Sequence, residues 1–177
     1  HGEALGDHGH IQKWTMYDVA VKVPLIVWSP SRVRQGTTDA LVQLMDVAPT
    51  ILDQVEISVP QGWQARSFNA LLGDPEAPAI RDAVYAELTR GHIQTESEYI
   101  CMRRDRRYKL VWYLGEQAGE LYDLVKDPDE LVNLWDSADH AAIRAERVAL
   151  IQEEMIRNMV HAQSRPMEKP QPYMETK

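Results

Sequence analysis

The sequence predicts an α/β chain: a first part of parallel-sheet type, then a small antiparallel sheet packed on a long C-terminal helix. Three observations predict it. One apolar run is unbroken by polar residues, as in a strand buried on both faces. Several later segments alternate apolar and polar residues with period two. A final stretch repeats its apolar residues at helical spacing.

Residues 1–17 are polar and rich in Gly and His, which predicts a loop with at most a helical turn. The unbroken run is Val23-Pro24-Leu25-Ile26-Val27-Trp28, closed by Ser29-Pro30; Pro24 is tolerable only near the start of a strand. Residues 31–38 read as loop. A helix is expected from Asp46, with Asp46 as N-cap, Pro49 in the first turn and Val47, Ile51 and Val55 as its apolar stripe. Residues 57–82 carry Pro60, Gly62, Gly73, Pro75 and Pro78 and read as a connection.

Period two then takes over. Val84, Ala86 and Leu88 form one strand, Tyr99-Ile100-Cys101-Met102 a second, Tyr108–Leu114 a third after a turn at Asp105, and Glu120–Leu124 a fourth. Short turns between consecutive strands predict an antiparallel sheet with one wet face. Residues 139–160 predict a helix whose stripe is Ala145, Val148, Ile151, Met155 and Met159, packed on the sheet. The expected division is 1–75 for the first part, 76–165 for sheet and helix, and 166–177 for an extended tail.

Composition narrows function. The 177 residues carry 19 Lys and Arg against 27 Asp and Glu, a net charge of −8, which argues against nucleic acid as a partner. No apolar run approaches the roughly 20 residues that span a bilayer, so no membrane partner is expected. The single cysteine, Cys101, excludes an internal disulfide and a cysteine-ligated zinc site, and its place on an alternating strand predicts core packing. Arg103, Arg104, Arg106, Arg107 and Lys109 surround a turn and read as a solvated charge cluster rather than an anion site. His1, His8 and His10 stand with Glu3 and Asp7, donors that suit a divalent cation, although composition alone fits a plain polar terminus as well.

The motifs go further. His1-Gly2-Glu3-x-Leu5-Gly6-Asp7-His8-Gly9, Lys13, Met16-Tyr17 and Val23–Val27 follow one another in order. Behind them come Asp46-Val47-Ala48-Pro49-Thr50-Ile51-Leu52, Arg107-Tyr108-Lys109-Leu110 and Gly119-Glu120-Leu121-Tyr122-Asp123-Leu124. Asp127-Pro128-x-Glu130 and Asn133-Leu134 close the series. Collinear over nearly the whole chain, these blocks resemble the sulfatase branch of the alkaline phosphatase superfamily. That branch includes arylsulfatases, choline sulfatases and phosphonate monoester hydrolases.

The resemblance implies the last elements of an alkaline-phosphatase-like α/β domain followed by the C-terminal subdomain of such an enzyme. It implies hydrolysis of a sulfate ester, or of a phosphonate or phosphate ester, with a divalent metal (Ca²⁺ or Mn²⁺) and a formylglycine nucleophile. His1 matches a metal-ligating histidine whose partner aspartate is expected just upstream. Lys13 matches the lysine that contacts the sulfate or phosphoryl oxygens, and His8 matches a residue shaping the same site. Glu3 is a candidate partner for the imidazole of His1; His10 departs from the family pattern. Cys101 does not match the nucleophile motif Cys/Ser-x-Pro-x-Arg, so the nucleophile is expected outside this chain, which alone should be inactive. The expectation is therefore a C-terminal piece of a longer enzyme, cytoplasmic or periplasmic, with the cytoplasm favoured. Val23–Trp28 is expected to be covered by another copy of the chain or by an upstream segment. Two rivals remain: a naturally short binding or assembly module, and a small metal-binding protein using His1, His8 and His10.

Overall fold

The computed structural model describes residues 1–89 and 96–163. Its centre is a four-stranded antiparallel meander in the order β1-β2-β3-β4: Val84–Thr89, Tyr99–Arg104, Tyr108–Tyr113 and Gly119–Asp123. Three short helices precede it, α1 at Asp18–Val21, α2 at Val47–Gln54 and α3 at Asn69–Gly73; α4, Ala141–Gln163, follows. The expected tail, residues 166–177, lies outside the described residues.

Local chemistry sets the register. At the β2–β3 turn, Asp105 accepts the N–H groups of Tyr108 at 2.7 Å and Arg107 at 2.9 Å and pairs with Arg103 at 2.8 Å. Burial pushes the Asp105 carboxyl up, but these donors outweigh it and hold it below the usual carboxylate range. Beyond β4, Asn133 stands in for a further strand: its carbonyl accepts Leu121 N–H at 3.1 Å and its amide donates to Gly119 O at 3.0 Å. A Cβ on Gly119 would lie 2.4 Å from the Trp135 ring, so only glycine fits there.

Both faces of the sheet are covered, which corrects the expectation of one wet face. On one face Cys101, Tyr108, Leu110 and Leu121 pack against Ile151 of α4, with Ile143, Val148 and Met155 around it. Ala145 and Met159 of the expected stripe are exposed instead. Cys101 is a core cysteine, its thiol pushed up to about 12 by burial. On the other face Ile100, Met102 and Val111 pack against Met16 and Val21. The second cover thus comes from a segment some 90 residues away in sequence, invisible to local periodicity.

Three further expectations change. Val23–Trp28 forms no strand: it pairs with nothing among the described residues, and Ile26 and Trp28 are 88% and 83% exposed. Helix α2 starts where expected, but it buries Pro49 and Thr50 and turns Ile51 and Val55 outward. Asp46 makes no N-cap bond to α2; its carboxylate instead closes the preceding turn, accepting Gln43 N–H at 2.7 Å. Lastly, the cluster around the turn is only partly solvated: Arg106 and Arg107 are exposed, whereas Arg103, Arg104 and Lys109 pair with carboxylates, and Arg103 and Lys109 are buried.

Candidate functional site

The motif at the N-terminus folds into a tight closed loop. Ala4 N–H donates to Gln12 O at 2.9 Å, Gly6 N–H to His10 O at 2.8 Å, and Glu3 accepts the backbone N–H of Gln12. Leu5, Gly6, His8, Gly9 and Gln12 all have positive φ, which two glycines accommodate freely and three other residues only under strain. Gly2 N–H donates to Ala20 O at 2.8 Å, and the approach is so close that a Cβ would meet Val19 O at 1.9 Å. Because residues 3 and 4 lie against residue 12, His1 and Lys13 leave the loop at the same end.

His1 is exposed and its Nδ1 lies 2.8 Å from Gly2 O; it makes no hydrogen bond to Glu3, whose carboxylate accepts from Gln12 N–H. Lys13 is exposed with its ammonium 5.8 Å from the Trp14 ring centre, and forms no ion pair among the described residues. An uncommitted ammonium on a fixed loop is a point charge suited to an oxyanion. His8 is turned the other way. Its ring lies flat on Tyr17, centroids 3.7 Å apart and planes within 2°, at the rim of a cleft of about 560 Å³.

That cleft is walled by Tyr17, Tyr113, Glu120, Tyr122 and Glu130. Tyr113 donates its hydroxyl to Glu120 at 2.5 Å, and the Tyr17 and Tyr122 hydroxyls stand 3.5 Å apart. Burial drives the Glu120 carboxyl up, only partly offset by the Tyr113 and Tyr122 hydroxyls. An acid whose folded pKa is raised contributes full stability below its unfolded value and loses it as pH rises through the folded one. Glu120→Gln should therefore raise the melting temperature at pH 7–8, with the gap closing toward pH 4. Paired thermal melts across this range check it; a Gln variant no more stable at neutral pH would contradict the burial.

Beneath residues 16–18, which follow the loop, lies a group that sequence reading missed. Lys109 Nζ donates to Met16 O at 2.9 Å and Asp18 at 2.6 Å and forms an ion pair with Glu130 at 2.5 Å. Asp18 also pairs with Arg104 at 3.2 Å, and its N–H donates to Glu130 at 2.7 Å. Every member comes from a motif block or its neighbour: Asp18 follows Met16-Tyr17, Lys109 sits in Arg-Tyr-Lys-Leu, and Glu130 in Asp-Pro-x-Glu. The signal was two carboxylates, Asp18 and Glu130, within or beside the same blocks as Lys109.

Among the described residues, no three His, Cys, Asp or Glu side chains are placed to hold a metal ion. The three-histidine metal site of the rival reading is thus not assembled, with His8 committed to Tyr17. The donors among the described residues do not fit a metal by themselves; His1 would be a single ligand of a centre completed elsewhere.

Residues 6–159 match the family described as N-sulphoglucosamine sulphohydrolase, C-terminal. The chain is 28% identical over 163 residues to an arylsulfatase of Clostridium perfringens, covering 90% of this chain and 32% of that one. It is 29% identical over 160 residues to an N-acetylglucosamine-6-O-sulfatase of Bacteroides thetaiotaomicron, covering 86% and 28%. A phosphonate monoester hydrolase from Silicibacter pomeroyi superposes with a TM-score of 0.79 at 29% identity, over 93% of this chain and 35% of that one. The chain spans about a third of the length of the relatives it matches. With the antiparallel sheet and the long C-terminal helix in place, the chain belongs to the N-sulphoglucosamine sulphohydrolase C-terminal family, within the sulfatase group of the alkaline phosphatase superfamily.

Proposed function

We propose that this chain is the C-terminal part of a sulfuric ester hydrolase and that the loop of residues 1–13 forms one edge of its active site. The observation that carries the reading is the loop itself: its backbone is closed by hydrogen bonds while His1 and Lys13 are left exposed at one end. Lys13 holds the non-bridging oxygens of the ester group and balances the charge that develops on them. His8, stacked on Tyr17, fixes the far side of the loop rather than touching the reacting group. His1 supplies one ligand to a divalent metal, Ca²⁺ or Mn²⁺, which would polarise the ester oxygens; the remaining ligands and a formylglycine nucleophile belong to residues outside this chain. The substrate is a small sulfate ester.

A second reading, hydrolysis of a phosphonate ester, is favoured by the likeness to the phosphonate monoester hydrolase. Initial rates of the full-length protein on an aryl sulfate and an aryl phosphonate ester separate the two. Turnover of the sulfate well above the phosphonate supports the first, the reverse supports the second, and no hydrolysis of either would remove both.

The same reading gives Val23–Trp28 its cover: upstream residues of the same polypeptide. Six consecutive residues with exposed apolar side chains keep apolar surface in contact with water, and their unpaired backbone offers an edge for a partner strand. Trp28 in the isolated chain should accordingly emit like a solvent-exposed indole and be open to acrylamide. In the full-length protein its emission should shift to the blue and its quenching fall, read as the difference between wild type and Trp28→Phe. Equal quenching in both forms would show that nothing upstream covers the segment.

A further inference from the structure

We propose that Lys109 is a positioning residue: buried against residues 16–18, which follow the N-terminal loop, it sets where that loop, and with it Lys13, stands over the sheet. The proposal rests on the reading that Lys13 serves the ester-cleaving site.

The geometry is that of a clamp. An ammonium has three N–H donors: Lys109 gives hydrogen bonds to Met16 O at 2.9 Å and Asp18 at 2.6 Å, and a third acceptor, the Glu130 carboxylate, lies 2.5 Å away as an ion-pair partner. Two of the acceptors, Met16 O and Asp18, belong to the segment that carries the loop. The third, Glu130, belongs to the turn after β4. Lys109 itself projects from β3, an interior strand of the sheet, so the clamp is anchored on a rigid element.

The acceptors are held as firmly as the donor. Glu130 adopts a φ of 56°, a left-handed conformation unusual for a non-glycine residue. Asp127 stabilises that turn by accepting the N–H groups of Leu131 at 3.1 Å and Val132 at 2.8 Å. The other carboxylate oxygen of Glu130 accepts Asp18 N–H, which ties the two acid residues to each other. From Asp18 the restraint reaches the loop by two routes. Lys13 is three residues from Met16 along the chain, and His8 lies flat on the Tyr17 ring between Met16 and Asp18.

Stability alone does not explain this arrangement. Desolvating several charges costs what their attraction returns, and apolar side chains would hold the segment as well. What apolar packing lacks is direction. Two directed hydrogen bonds from Lys109, with the Asp18 N–H bond to Glu130, fix both the height and the rotation of residues 16–18, and misplacement of a catalytic group by about 1 Å can cost roughly 100-fold in rate.

The test uses the full-length protein and two readouts. The first is a double-mutant cycle of Lys109→Met with Lys13→Ala, read as kcat/KM on the preferred ester. If Lys109 acts through Lys13, Lys109→Met lowers kcat/KM by about 100-fold in the wild-type background and far less in Lys13→Ala. Equal factors in both backgrounds overturn the proposal. The second is backbone amide exchange. In Lys109→Met, Ala4, Gly6 and His10 should lose protection while Leu110 and Leu121 keep theirs; unchanged loop protection, or a uniform loss across loop and sheet, overturns it. Should Lys109→Met not fold, Asp18→Asn leaves β3 intact, weakens the same clamp and goes through both measurements. If wild-type protein hydrolyses neither ester, the functional reading falls, and amide exchange alone decides whether Lys109 positions the loop.

Discussion

Lys13→Ala in the full-length protein is expected to lower turnover on its ester by roughly 100- to 1000-fold, equivalent to about 2.7–4 kcal/mol of transition-state stabilisation. The size follows from what the ammonium does. Charge gathers on the non-bridging oxygens as the ester bond breaks, and a donor fixed beside them acts more strongly there than on the ground state. The fold should barely register the change. Lys13 is exposed, carries no ion pair among the described residues and loses only its approach to the Trp14 ring. A cation–π contact at an exposed site is worth about 0.5–1 kcal/mol. Steady-state kinetics beside a thermal melt therefore separates the roles: a large fall in kcat with an almost unchanged melting temperature. Lys13→Arg should recover only part of the loss, since a planar fork replaces a compact point charge. Near-wild-type turnover in Lys13→Ala would take Lys13 out of the site.

The strands and α4 were legible because their periodicity is local. Each β segment alternates over five or six residues, and α4 keeps Val148, Ile151 and Met155 on one face. What alternation cannot say is whether the second face is wet. Lys109 shares its face with Val111 and Met102, and a lysine beside four arginines reads as solvent-facing. Only the return of residues 16–21 across that face turns it into a buried ion cluster. The same limit explains Val23–Trp28. An apolar run announces burial but not the partner, and within this chain no partner is present among the described residues. Of the proposed site, His1, His8 and Lys13 were named by the resemblance of the loop motif to the sulfatases; the clamp was hidden because Glu130 takes a left-handed backbone that its residue type does not announce.

Asp46→Ala should be the most destabilising single change outside the apolar core, by about 3–5 kcal/mol, the cost typical of removing one partner of a buried ion pair. Asp46 is fully buried, and its carboxylate accepts Gln43 N–H at 2.7 Å, Arg66 N–H at 2.8 Å and the Arg81 guanidinium. Its backbone carbonyl takes the Thr50 hydroxyl at 2.7 Å, which in turn accepts Phe68 N–H at 3.0 Å. One residue thus joins the start of α2, the connection before α3 and the lead into β1. Arg81, its side chain 8% exposed, would be left as a buried cation with Gln43 as its hydrogen-bond acceptor and no ion-pair partner in contact. Burial already disfavours the charged guanidinium, and Asp46 opposes that most strongly, with a weaker contribution from Glu154. By contrast, the exposed pair of Arg157 and Glu153 on α4 should contribute only about 0.3–0.5 kcal/mol. Urea unfolding of the full-length protein, followed by a probe in residues 33–81, measures the loss. Adding Arg81→Met to Asp46→Ala should restore much of it, because the orphaned charge is gone; the two unmade backbone bonds keep the recovery incomplete. A single-variant loss below about 1 kcal/mol would mean that water reaches Arg81 and that this junction is not the sealed core the geometry describes.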